Sequence, residues 1–168
     1  MIAPVFVDTN VIVYARDARE PTKQRLAESW LEHLWRERLG RTSFQVLSEY
    51  YVSVTRRLDP GLSPEEAWDD VNALQAWNPR PVDRAVLERG RAVEARYRIS
   101  WWDSLVVAAA QLEGCAVLLT EDLQDGAQFD GVTVRSPFTL SIAESRAVYA
   151  VVPPTSLHPP RGRPRRTA

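Results

Sequence analysis

The sequence predicts an α/β fold in which helices cover both faces of a mostly parallel, doubly wound sheet. Short apolar runs of strand type, such as residues 3–7 and 116–120, alternate with longer segments of helical periodicity. The runs are apolar at nearly every position, which is typical of parallel strands that are buried on both faces. One domain of this three-layer α/β/α type fits a chain of 168 residues.

The elements follow in a regular order, and several have clear start signals. Ser63 as N-cap, Pro64 at the first helical position and Glu66 three residues after the cap predict a helix start. Asn78 and Pro79 then break that helix. The predicted elements are a strand at 3–7, a helix at 22–38, a short strand at 40–43, helices at 44–58, 63–77, 83–97 and 100–114, and strands at 116–120 and 132–135.

The compact pattern ends near Phe138, so we expect a domain at 1–138 and an extension at 139–168. Residues 140–152 fit either a helix or a strand, and the Pro- and Arg-rich remainder is expected to be flexible from about Val152. The extension has five arginines and one glutamate, a charge of +4, which leaves −5 on the domain. It is either an aid to RNA binding or an inert extension.

Composition indicates a cytoplasmic protein. The single cysteine, Cys115, excludes an intramolecular disulfide and fits a reducing compartment. The longest clean apolar run, 105–110, is too short to span a bilayer. The first residues lack a basic region and reach Asp8 almost at once, so a signal peptide is not expected.

Four acidic residues follow or interrupt apolar segments. They are Asp8 after the first strand, Glu49 in an apolar helix, Asp103 at a helix start, and Asp122 two residues after a strand. Buried carboxylates are costly unless they are compensated. If the fold brings the four together, a hard divalent cation with oxygen ligands is the natural compensation.

Each acid also has a purely structural explanation. Asp8 could cap the helix after the first strand, and Asp122 a short turn. Asp103 lies at capping-box spacing from Ser100, and Glu49 could lie on an exposed helix face. These explanations are reasonable one by one, but four coincidences together are a weaker account than one shared site.

Other catalytic classes lack their residues. Phosphotransfer enzymes with a strand-end aspartate nucleophile need a strand-end lysine, and the one lysine, Lys23, lies near a helix start. The chain has no Gly-rich phosphate loop or dinucleotide fingerprint. His33 and His158 are remote from every acidic motif, so a nucleophile activated by histidine is not supported. Chemistry by carboxylates and a metal remains.

The acidic motifs resemble those of PIN domains, and more narrowly those of VapC-type toxins of bacterial toxin–antitoxin pairs. The ordered set carries the resemblance, over about residues 3–138. It comprises residues 6–10, 45–51, 102–105 and 119–126. The resemblance implies a Mg²⁺-dependent endoribonuclease, with Mn²⁺ as a substitute, that forms a homodimer and is blocked by a cognate antitoxin.

The resemblance also assigns roles to residues. The catalytic and metal-binding quartet of the family maps onto Asp8, Glu49, Asp103 and Asp122, with Glu49 binding directly or through water. Its supporting positions map onto Thr9, Asn10, Ser104 and Thr120, and Asp125 is an optional outer ligand. A metal held in this way would activate a water for in-line attack on phosphorus, with one or two ions.

Three functions remain open from the sequence. The first is the toxin ribonuclease, and the second is a housekeeping nuclease of PIN type or an RNA-binding module without activity. The third is a metal-dependent phosphatase of small substrates, which would need a closed pocket.

Overall fold

The computed structural model describes residues 2–149 and confirms the three-layer α/β/α fold with a mostly parallel sheet. The strands are β1 (Val5–Val7), β2 (Gly40–Arg41), β3 (Val117–Leu119), β4 (Gln128–Phe129) and β5 (Val132–Arg135). The helices are α1 (Thr9–Tyr14), α2 (Pro21–Arg36), α3 (Phe44–Val52), α4 (Pro64–Leu74), α5 (Arg84–Tyr97), α6 (Trp101–Leu112) and α7 (Ile142–Val148). A π-helical turn at Ser53–Arg57 extends α3, and a 3-10 turn at Gln75–Trp77 extends α4.

The sheet has the strand order β2-β1-β3-β5-β4. Strands β2, β1, β3 and β5 are parallel, and only β4 is antiparallel to its neighbour β5. The chain runs from β1 to β2 on one side and returns to β3 on the other, so the strand order reverses at the β1–β3 pair. In open α/β sheets, ligands bind beyond the carboxyl ends of strands at such a point.

Side-chain caps fix where most helices begin. Ser63 and Glu66 form the reciprocal capping box that the sequence predicts for α4. The Asp83 side chain accepts from the backbone N–H of Val86 at 3.0 Å and caps α5. Ser43, Ser100 and Ser141 cap α3, α6 and α7 in the same way.

The hydrophobic core lies on both faces of β1 and β3, whose residues are all buried. A smaller cluster between α5 and α6 contains Val86, Leu105 and Ala108. The core continues past the predicted domain end at 138, because Leu140 is buried in it and α7 follows. The predicted flexibility from about Val152 lies outside the described residues.

Two elements differ from the sequence-based expectation. For residues 9–14 the sequence predicted only a possible helix cap at Asp8, and the structure has the short helix α1 there. The antiparallel strand β4 was not predicted. Residues 140–152, which fitted either a helix or a strand, begin with α7 in their described part. In residues 2–149, no helix combines the length and apolarity that a membrane crossing requires.

Candidate active site

Asp8 is the most buried of the four acids. It follows β1 directly and is only 5% exposed. Its Oδ1 accepts a hydrogen bond from the backbone N–H of Thr9 at 2.8 Å, which caps α1. Its Oδ2 accepts from the Thr120 hydroxyl, also at 2.8 Å. Asp8 therefore does cap a helix, but only one of its two oxygens is needed for that.

Thr120 joins the ends of β1 and β3. Its fully buried hydroxyl donates to Asp8 and accepts from the Asn10 side-chain amide at 2.8 Å and from the backbone N–H of Asp122 at 3.0 Å. The Asn10 carbonyl oxygen in turn accepts from the backbone N–H of Glu121 at 3.2 Å. These bonds hold the loop after β3, and with it Asp122, beside Asp8.

Glu49 projects from α3 toward the same loop ends. One of its carboxylate oxygens accepts from the Thr9 hydroxyl at 3.0 Å, and the other accepts from the Gln45 side-chain amide at 3.0 Å. That Gln45 amide also donates to the backbone carbonyl of Trp102 at 3.3 Å. Gln45 therefore links α3 to the start of α6, where Asp103 lies.

Asp103 occupies the first turn of α6. Its backbone N–H donates to the Ser100 hydroxyl at 3.1 Å, but Asp103 does not return a bond to the Ser100 amide, so the capping box is incomplete. The Ser104 hydroxyl donates to the backbone carbonyl of Ser100 at 2.7 Å. The structure thus places Ser104 in the support of the helix start, not in contact with the other acids.

The four carboxylates share one electrostatic environment. Burial, with smaller contributions from the charges of Asp122 and Glu49, raises the pKa of Asp8 to about 6, although hydrogen bonds from Thr120 and Thr9 oppose the shift. Burial, with Asp122 and Glu49, also raises the pKa of Asp103, against a hydrogen bond from Ser100. Glu49 and Asp122 therefore act on both of the other acids.

The described part of the chain offers these acids no cationic partner. Within residues 2–149, none of the four carboxylates forms an ion pair. Within the same range, no three Asp, Glu, His or Cys side chains lie close enough together to form a preformed metal-binding cluster. All the donors are hard oxygen atoms, and Mg²⁺ takes few carboxylates because it keeps several of its waters. The donor set fits a hydrated hard cation better than a fully caged one.

Asp125 lies at the edge of this region. Its carboxylate accepts from Arg135 Nε at 3.1 Å, from the Ser136 backbone N–H at 2.8 Å and from the Thr139 hydroxyl at 3.2 Å. These hydrogen bonds outweigh the effect of partial burial and lower the pKa of Asp125. These bonds connect the loop after β3 to the segment after β5. The role of Asp125 as an outer metal ligand stays a prediction.

Two of the four acids, Glu49 and Asp122, line a groove of about 1140 Å³, which we call the acidic groove. One part of its lining is polar and the other is apolar or aromatic. The polar part includes Thr9, Asn10, Gln45, Ser48, Glu49 and Asp122, and the apolar part includes Phe44, Val52, Leu58, Pro81, Val82 and Trp102. Sequence reasoning did not select Gln45, Phe44 or Trp102 as functional. A signal was present in the sequence, since all three lie within five residues of a predicted acid.

Comparisons with known proteins agree with this fold. A family model described as the PIN domain matches residues 5–127. A toxin–antitoxin complex from Klebsiella pneumoniae is similar in structure, at 22% sequence identity and a TM-score of 0.59, covering 80% of this chain and 98% of that one. Mycobacterium tuberculosis VapC20, described as a sarcin–ricin loop cleaving toxin, is similar at 21% identity and a TM-score of 0.50, covering 70% and 89%. A search of curated proteins finds no match.

Proposed function

This chain belongs to the PIN-domain family, and we propose that it is a metal-dependent endoribonuclease, the toxin of a type II toxin–antitoxin module. The observation that carries the proposal is that Glu49 and Asp122, which line the acidic groove, act electrostatically on both Asp8, at the carboxyl end of β1, and Asp103, in the first turn of α6. The structural likeness to a toxin–antitoxin complex and to an RNA-cleaving toxin supports the narrower reading.

We propose Asp8, Asp103 and Asp122 as the residues that hold Mg²⁺, or Mn²⁺ in its place, with Glu49 binding directly or through water. When bound, such an ion lowers the pKa of a coordinated water and offsets the charge of the phosphodiester. The supporting side chains keep the acids in position. Thr120 orients Asp8, and Thr9 orients Glu49, each with one donated hydrogen bond.

The proposed reaction is hydrolysis of an RNA phosphodiester bond. A water oxygen forms a bond to phosphorus and loses a proton, and the bond from phosphorus to the 3′ oxygen breaks. The 3′ oxygen then takes up a proton, so the products carry a 5′-phosphate and a 3′-hydroxyl. An open groove of about 1140 Å³ admits a polymer, which argues against a phosphatase of small substrates that needs a closed pocket.

The proposed partners follow from the same reading. They are a cognate antitoxin that covers the acidic groove and a second copy of this chain in a homodimer, in the cytoplasm. An arginine of the antitoxin would suit the acids, because a guanidinium can take the place of a cation between carboxylates.

An RNA cleavage assay tests the proposal. The purified chain should cleave RNA in Mg²⁺ and lose that activity in EDTA, and an Asp8→Asn variant should be inactive in both. Cleavage by Asp8→Asn at the parent rate would contradict the assigned site. RNA binding without cleavage would instead favour a non-catalytic RNA-binding module.

Expression in bacteria separates the toxin from a housekeeping nuclease. Overproduction should arrest growth through RNA cleavage, and coexpression of a small protein encoded beside the toxin gene should restore it. Normal growth with soluble, RNA-cleaving protein would contradict the toxin reading and leave a housekeeping nuclease of PIN type.

A further inference from the structure

Two large aromatic side chains stand exposed beside the acids. Trp102 is 63% exposed and Phe44 is 43% exposed, and both line the acidic groove next to Val82. Exposing aromatic surface of this size to water is unfavourable, and such surface marks binding sites when it flanks polar groups. We call Phe44 and Trp102 the aromatic platform.

The platform is connected to the proposed chemistry. Trp102 immediately precedes Asp103, and its backbone carbonyl accepts the Gln45 amide that also holds Glu49. Trp102 is therefore next to Asp103 in the chain and joined through Gln45 to Glu49.

The groove also has a direction, which α3 defines. Gln45, Ser48, Glu49 and Val52 have helical spacing and line the groove together. Phe44 begins this helix and Arg57 ends its π-helical extension, on the order of 20 Å away by the helical rise. Glu49 thus lies between an aromatic end and a cationic end.

Arg57 is available for a ligand. It lines the acidic groove, and within residues 2–149 its side chain forms no ion pair or hydrogen bond. A free guanidinium suits a phosphate, and an aromatic face suits a nucleobase, so the two ends of the groove match two parts of one nucleic acid strand.

We propose that the aromatic platform stacks an unpaired base of the substrate and that Arg57 binds a backbone phosphate on the far side of Glu49. A base within a duplex is already stacked and paired and cannot lie on Trp102, so the contribution of the platform should be seen with a single strand and be absent with a duplex. This inference rests on the proposed function only in taking RNA as the ligand.

Binding in the Asp8→Asn background tests the inference without cleavage. Fluorescence anisotropy in EDTA would compare a short single-stranded RNA with the same RNA annealed to its complement. Trp102→Ala should weaken single-strand binding by roughly 5- to 150-fold, the range for loss of one stacked base. Trp102→Phe should restore most of it, and Phe44→Ala should weaken binding in the same direction as Trp102→Ala.

Trp68→Ala is the matched control. Trp68 is a similarly exposed tryptophan, 56% exposed on α4, and it does not line the groove. Its replacement should leave binding of either RNA unchanged. Arg57→Ala should weaken binding and reduce the dependence of affinity on salt by about one phosphate contact.

Two results would overturn the inference. The first is that the Trp102→Ala and Phe44→Ala proteins bind the single strand as tightly as the Trp68→Ala control. The platform would then be assigned to contact with a protein partner instead of RNA. The second is that Trp102→Ala weakens duplex binding as much as it weakens single-strand binding. Tryptophan-dependent binding without cleavage in Mg²⁺ by the unmutated chain would support the platform and refute the nuclease, so the two proposals fail separately.

Discussion

The Thr120 hydroxyl donates a hydrogen bond of 2.8 Å to Asp8 Oδ2, across the pair of parallel strands at which the strand order reverses. The same hydroxyl accepts from Asn10 and from the backbone of Asp122. One buried side chain therefore positions three parts of the site. Because hydrogen bonding to a carboxylate favours its charged form, Thr120 also limits the rise in the pKa of Asp8.

Thr120→Val should destabilise the protein, on the order of 3 kcal/mol, because it keeps the side-chain shape but leaves buried polar groups without partners. Asp8 loses a donor, and Asn10 and the Asp122 amide lose their acceptor. Urea unfolding measures the change. Thr133→Val, at a half-buried position on β5, is the control and should cost much less.

Equal stabilities of the two valine variants would show that the Thr120 network contributes little to folding. Cleavage in Mg²⁺ would then decide whether the network matters for catalysis alone. We expect the Thr120→Val rate to fall, because Asp8 loses one of its two hydrogen bonds and its pKa rises further.

The stability of the metal-free protein should decrease as the pH rises from about 4 to about 6. The ordinary pKa of Asp8 is 3.8 and its folded value is about 6, so in this window the folded state binds more protons than the unfolded chain. The change from Asp8 alone is on the order of 3 kcal/mol, and it is complete above pH 6.

Asp8→Asn isolates that contribution. The variant should be more stable than the parent at pH 7 without metal and should show a weaker pH dependence between 4 and 6. Urea unfolding in EDTA at several pH values measures both. If the free energies of unfolding of parent and variant changed with pH in the same way, the pKa of Asp8 would not be raised in the folded protein.

Divalent metal should stabilise the parent and not the Asp8→Asn protein. An ion that binds only the folded state raises the protein's free energy of unfolding. At ion concentrations above the Kd, the increase is proportional to the logarithm of the concentration. The rise in melting temperature with Mg²⁺ should be larger at pH 7 than at pH 5, because Asp8 is protonated below its pKa of about 6. Asp69→Asn, at an exposed position outside the groove, should respond as the parent does.

The positions of Asp8 and Asp122 were predictable from the sequence for a physical reason. Residues that follow buried parallel strands must emerge at one edge of the sheet, so Asp8 after β1 and Asp122 after β3 had to lie near each other. The position of Thr120, the buried side-chain partner of Asp8, was predictable for the same reason, since it follows β3 directly.

The position of the aromatic platform was not predictable in this way. The bond between Gln45 and Trp102 joins residues far apart in the chain and depends on how the starts of α3 and α6 meet. Helix α1 was obscured because residues 11–13 are all β-branched, a composition that favours strands. The Asp8 cap and the burial of Val11 and Ile12 stabilise it as a helix instead.

Asp70 should stabilise the fold, since it accepts hydrogen bonds from the Arg16 guanidinium and from the hydroxyl of the buried Tyr50. Burial, followed by the hydrogen bond to Asp70, raises the pKa of Tyr50, so the phenol stays protonated and remains a donor. Asp70→Ala leaves that buried hydroxyl unsatisfied and should destabilise the protein by about 1–3 kcal/mol. Asp69→Ala, one residue earlier and at an exposed position, should be close to neutral.

A double-mutant cycle identifies the partner that matters. If the cost of Asp70→Ala comes from the stranded Tyr50 hydroxyl, then Tyr50→Phe should make the second substitution cheaper, because no buried donor is left behind. Urea unfolding of the parent, both single variants and the double variant gives the coupling free energy. Additive costs would assign the effect to the exposed Arg16–Asp70 ion pair instead, although such pairs usually contribute less than about 1 kcal/mol.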